Sequence, residues 1–231
     1  INENQAQQAL NAANIELEAV QQQLLSAQEA LQTSKYAKTV ADDELKRAQK
    51  NKADVETLQK DTDDRKNQCE TEINNLNQSL KACEGKIITE QNSLRSLERK
   101  IKTINDELQR EGIPQSEREF LEAQLAATQE SRDASKNQLD AYMEEYNKLT
   151  KEKKSWENNL ETVNANLASL KEMQADADEK LLSAETAAKQ AQAAFEDAQT
   201  KYDGLTTQKS DQETQVNECQ TQLKDRENAL Q

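Results

Sequence analysis

The chain has 231 residues, of which 32% are charged, 34% hydrophobic and 3% aromatic, so a globular core of ordinary size cannot be built from it. A net charge of -14 argues against nucleic-acid backbones and anionic lipid surfaces as partners and favours cations or basic proteins. No run approaches the roughly 20 apolar residues that span a bilayer, and residues 1 to 20 lack the basic stretch and apolar segment of a signal peptide.

Low hydrophobicity alone would point to disorder. Three glycines and one proline among abundant Ala, Leu, Gln, Glu and Lys point instead to long helices. From Ala6 the apolar and small residues step by four and three through Leu10, Ala13, Leu17, Val20, Leu24, Ala27 and Leu31, then Ala41, Leu45, Ala48 and Val55. The same frame runs on through Cys69, Ile73, Leu76, Leu80, Cys83, Ile87, Leu94, Leu97, Ile101, Ile104 and Leu108. That is about fifteen heptads without an insertion, the pattern of a coiled coil. A first arm over 3–111 is expected. Its middle, "LQKDTDDRKNQ", puts Gln59, Thr62 and Lys66 at core positions, which reads as a loosened coiled coil that keeps its helices, as a hinge, or as a place where other chains pack against the facing Leu170, Leu167 and Val163. The start at Ile1 suggests a processed product or a start introduced by cloning.

The only proline lies at the middle of the chain, in "REGIPQSERE". Gly112 is suited to the left-handed conformation that closes a helix, with Ile113 touching Leu108 and Pro114 stopping continuation. Ser116 with Glu119 three residues on reads as a capping box that starts the next helix. A turn at 112–116 is therefore expected.

The second arm, 117–231, carries an offset frame. It starts at Leu121 and Leu125, passes Leu139, Tyr142, Tyr146, Leu149, Trp156, Leu160, Val163, Leu167 and Leu170, and continues from Leu181 through Phe195, Tyr202 and Val216 to Cys219, Leu223 and Leu230. If the arms lie antiparallel, opposing residue numbers add to a constant, and placing Leu108 against Leu121 sets it at about 229. Ala48 then faces Leu181, Leu45 faces Ala184, Ser34 faces Phe195, Ala27 faces Tyr202 and Ala13 faces Val216. Large meets small, as constant layer volume requires. The fold expected is all-α, a long antiparallel coiled-coil hairpin with arms of about 160 Å at 1.5 Å per residue. Neutral flanking residues such as Gln21, Gln28, Ala30, Ala37, Gln192 and Ala194 suit packing into higher-order bundles.

Few residues suggest chemistry. "DTDDRKNQCETE" at 61–72 imitates the ends of a calcium loop, but Arg65 stands at a ligand position and Lys66 replaces the glycine of its sharp turn. The acidic clusters Asp42, Asp43, Glu44 and Asp176, Asp178, Glu179 read as solvated helix faces that bind calcium weakly at most. Cys69, Cys83 and Cys219 fall at core positions facing Leu160, Tyr146 and Leu10, so no intramolecular disulfide is expected. They read as buried thiols or as interchain bridges, and their spacing fits no zinc site. With no histidine, no phosphate-binding glycine loop and no enclosure to shift a carboxylate pKa, no catalytic residue, cofactor or small-molecule substrate is expected.

Function then has to come from stiffness, charge and packing, with the chain itself or related coiled coils as partners. A laterally assembling structural protein is the first reading. A mechanical or interaction arm, resembling the antiparallel stalks of chromosome-maintenance ATPases, is the second, although no nucleotide-binding head is present and "GIPQSE" is too short for a hinge domain. The stretches "QAQQAL", "VQQQLL" and "QAQAAFEDAQ", the acidity and the non-Met start resemble the ciliate trichocyst matrix or granule lattice proteins. That resemblance implies a chain cut from a precursor and packed as a crystal in a secretory granule lumen, expanding with calcium when extruded. The arm reading implies a cytoskeletal or cytoplasmic setting.

Overall fold

Helix α1, Glu3–Leu108, starts on a reciprocal cap. The Gln5 amide donates to Asn2 Oδ1 at 2.9 Å and the Asn2 amide donates to Gln5 Oε1 at 3.0 Å, satisfying two of the donors that a helix start leaves open. The computed structural model describes residues 2–229 and holds one further helix, α2, Gln115–Ala229. The two helices pack as an antiparallel coiled-coil hairpin.

The connection differs in detail from the sequence expectation. α1 ends at Leu108, three residues before the expected arm end, where the Gln109 amide reaches Asn105 O and the Arg110 amide tightens onto Glu107 O. Gly112 does take a left-handed conformation, φ 79°, but within the turn rather than at the cap of α1. The capping box fails. Ser116 already lies inside α2, because Pro114 occupies the cap position and its carbonyl accepts from the Glu117 and Arg118 amides at 3.1 and 3.0 Å. Glu119 instead accepts from the Gln115 side-chain amide at 2.9 Å. Leu230 and the expected arm end at 231 lie outside the described residues.

Packing contacts divide the chain into two units, one of Ile1–Thr57 with Glu172–Gln231 and the other of Leu58–Lys171. The first has a core of small residues: Ala6, Ala13, Ala27 and Ala41 are buried, as are Ala188, Leu205 and Val216, and Ala177 is 0% exposed. Small side chains let the two backbones approach closely. In the second, Cys69, Leu76, Leu80, Cys83 and Ile104 of α1 are buried, as are Leu121, Val163 and Leu170 of α2. Within each unit the described positions of the two heptad frames from Ala6 to Leu108 and from Leu121 to Leu223 are buried or half-buried, Arg226 being exposed, while b, c and f positions face solvent. α1 runs unbroken through Gln59, Thr62 and Lys66, all half-buried.

Candidate functional site

The frames, followed through every heptad, place more polar residues in the seam than the apolar pattern revealed. Five lysines occupy a positions: Lys38, Lys52 and Lys66 on α1, each two heptads from the next, and Lys153 and Lys209 on α2. Each pairs with an acid four residues on, at 2.9 Å for Asp42, 3.9 Å for Glu56, 3.8 Å for Glu70, 3.5 Å for Glu157 and 3.5 Å for Glu213. The aliphatic stem covers the core layer while the ammonium reaches the flank. Acid following Lys is the less favoured order on an isolated helix, so placement in the seam, not helix propensity, explains the pairs.

Lys52 also crosses to α2, where its Nζ lies 2.8 Å from Asp178 Oδ1. This bond holds the Asp178 carboxyl below its ordinary range, with burial opposing and the Gln174 amide assisting. The same hydrogen bond pushes the Lys52 ammonium up. Further seam polars are met across the seam or within their own helix. Ser135, buried, donates to Glu90 of α1, and Thr62 Oγ1 donates to Leu58 O at 2.7 Å. Gln174 and Gln212, both half-buried frame positions, each leave a buried Oε1 without a partner.

The three cysteines are free. Cys69 and Cys83 are buried as expected, but Cys219 is only half-buried. Cys83, 1% exposed, donates from Sγ to Tyr142 O at 3.3 Å, and burial pushes its thiol up. Lys86 Nζ stands 5.4 Å from the centre of the Tyr142 ring. Tyr146 donates to Glu84 Oε1 at 3.0 Å, which raises its phenol. The Cys83 and Tyr146 contacts lie where the expected register puts them, around Tyr142 and Tyr146.

Among the described residues, open grooves flank the seam. In the first unit, one is lined by Glu44, Ala48, Lys180 and Ala184, and another by Asp42, Leu45, Ala188 and Gln192. Among the described residues no group of three or more Cys, Asp or Glu side chains converges to hold a metal ion, and no helix is long and apolar enough to cross a membrane. The neutral flanks Gln21, Gln28, Ala30, Ala37 and Ala194 are exposed, while Gln192 is half-buried beside the seam. Of the residues singled out from sequence, only the turn set Gly112, Pro114, Ser116 and Glu119 is brought together. The Asn2 and Gln5 cap and the seam lysines other than Lys66 were missed, although an Asn three residues before a Gln and an unbroken heptad count signal both.

No protein-family model matches the chain, and a comparison with curated proteins finds no match. Among solved structures the chain is similar to a crystal structure of a coiled-coil segment, residues 345–468 and 694–814, of Pyrococcus yayanosii Smc. The TM-score is 0.78 at 12% identity, with 96% of this chain and 94% of that chain covered. At such identity the likeness is one of fold, a coiled-coil segment.

Proposed function

We propose that the chain is a structural protein whose hairpin packs side by side with copies of itself or related coiled coils into a filament, lattice or paracrystal. The observation that carries this reading is the exposed, uncharged flank of the seam at Gln21, Gln28, Ala30, Ala37 and Ala194, where an isolated two-stranded coil would place Glu and Lys. Its compositional resemblance to granule lattice proteins makes the setting the expandable core of a regulated secretory organelle. The acidic faces around Asp42, Asp43 and Glu44, and around Asp176 and Glu179, supply the response. Divalent cations that neutralise them weaken the repulsion between neighbouring hairpins and change their preferred spacing. No catalytic step is required.

Sedimentation and negative-stain microscopy over a concentration series, with and without calcium, test the reading. Ordered bundles that change their repeat in calcium are expected. A species that stays monomeric at every concentration and ignores calcium would overturn it. The fold likeness to an Smc coiled-coil segment favours the second reading, an arm of a larger assembly. An arm stays monomeric in the same experiment.

A further inference from the structure

On the side of α1 turned away from α2, residues 8–40 depart from the rest of the chain. Ile15 is 68% exposed, Tyr36 72% and Leu25 57%, and Val40 is exposed as well. Only Glu16, Glu18, Glu29, Lys35 and Lys38 are charged in these 33 residues, against 32% of the whole chain. One of the five, Lys38, sits in the seam with α2. The c and f positions here repeat as strictly as a and d: Ala12, Ala19, Ser26, Thr33 and Val40 recur every seven residues, interleaved with Ile15, Gln22, Glu29 and Tyr36. α2 in the same unit has no such face, because its c positions carry Asp197, Asp211, Glu218 and Asp225.

From this second heptad seam we infer that a second copy of the chain docks antiparallel on α1 over residues 8–40, about a two-fold axis near Leu24. The inference rests on the lateral-packing reading and names its surface. Residue numbers adding to 48 place each c position against an f position of the other copy. Tyr36 then meets Ala12, Ile15 meets Thr33, Glu29 meets Ala19 and Gln22 meets Ser26, large against small in these four layers, and Val40 meets Gln8 at the ends. Leu25 lies beside Leu25 of the second copy at the axis. On the flanks Glu16 meets Ala30 and Glu18 meets Gln32, so no acid opposes an acid despite the net charge of -14. A parallel arrangement in register would set Glu29 against Glu29 and Tyr36 against Tyr36, combining repulsion with uneven layers. The self-complementary pattern is that of an isologous interface along about 50 Å of helix.

The test uses the full chain. Ile15→Glu with Tyr36→Glu changes only exposed side chains, so circular dichroism and the thermal midpoint should be unchanged while the dimer dissociation constant from sedimentation equilibrium rises about a hundredfold. Separately, Leu25→Cys in a Cys219→Ser background, oxidised with copper phenanthroline, should give a dimer whose only new disulfide joins the two copies at position 25. If bundles form as readily in the double Glu variant and no position 25 disulfide is found, this surface is wrong and lateral packing proceeds elsewhere. A wild-type chain that never associates overturns the surface and the packing reading together.

Discussion

Lys52 and Asp178 form the ion pair that ties α1 to α2 across the seam, and its consequence is a pH dependence with two limbs. Asp178 is lowered, so its contribution is present above the ordinary carboxylate pKa of about 3.9 and is lost as pH falls through the lower folded value. Lys52 is raised, so its contribution is present below the ordinary lysine value of about 10.4 and is lost as pH rises through the higher folded one. Both side chains remain partly exposed, which keeps the effect small. Asp178→Asn should flatten part of the acid limb in thermal melts taken between neutral and acid pH, and a slope equal to wild type would contradict the assigned partner. The thiols make a second residue-level case. A reagent such as DTNB should modify half-buried Cys219 first, with Cys69 and Cys83 reacting at least about tenfold more slowly until the chain unfolds.

Stability at the scale of the helices turns on how each layer is filled. Ala177, with no exposed surface, sits in the α2 frame where the register brings Lys52 opposite, so no space is left there. Ala177→Leu should cost about 1 to 3 kcal/mol by overpacking, read as a drop in the denaturation midpoint. Gln59, half-buried at a core position facing Leu170, marks the opposite situation. Gln59→Leu should raise stability by about 1 kcal/mol, since it replaces an amide with apolar surface. At the turn, Gly112 has a positive φ that a Cβ resists, and Gly112→Ala should destabilise the hairpin by about 1 to 2 kcal/mol even though open space surrounds it. Chemical denaturation at matched helicity checks all three.

For the molecule as a whole, the seam consumes the a and d positions, and the remaining surface decides its associations. In the lateral packing proposed above, the exposed neutral flanks and the c and f face of residues 8–40 would receive other helices, and the acidic clusters would keep hairpins apart until cations bind. If that proposal holds, salt should act in the same direction as calcium, though less strongly per equivalent. Raising ionic strength in the absence of divalent cations is expected to promote association in light scattering, because it screens the same repulsion. A decrease would mean that attraction between opposite charges, not contact between neutral faces, holds neighbours together.

The heptad count by itself determined the all-α hairpin, the two heptad frames that meet in its seam and the place of the reversal, since a period of 3.5 leaves one stripe to bury and Gly112 with the only Pro marks the stop. Setting Leu108 opposite Leu121 also anticipated the register to within about a turn: Cys83, expected opposite Tyr146, reaches the Tyr142 carbonyl, and the Lys52–Asp178 pair falls at a nearly equal sum. Cap details were not legible that way: Pro114 displaced Ser116 because turn geometry, rather than residue preference, chose the first helical residue. Nor could composition tell that the five seam lysines reach a carboxylate four residues on. Only the packed partner helix forces an ammonium out of the core and toward the acid at its flank, and only tertiary structure shows which outer faces that packing leaves uncovered.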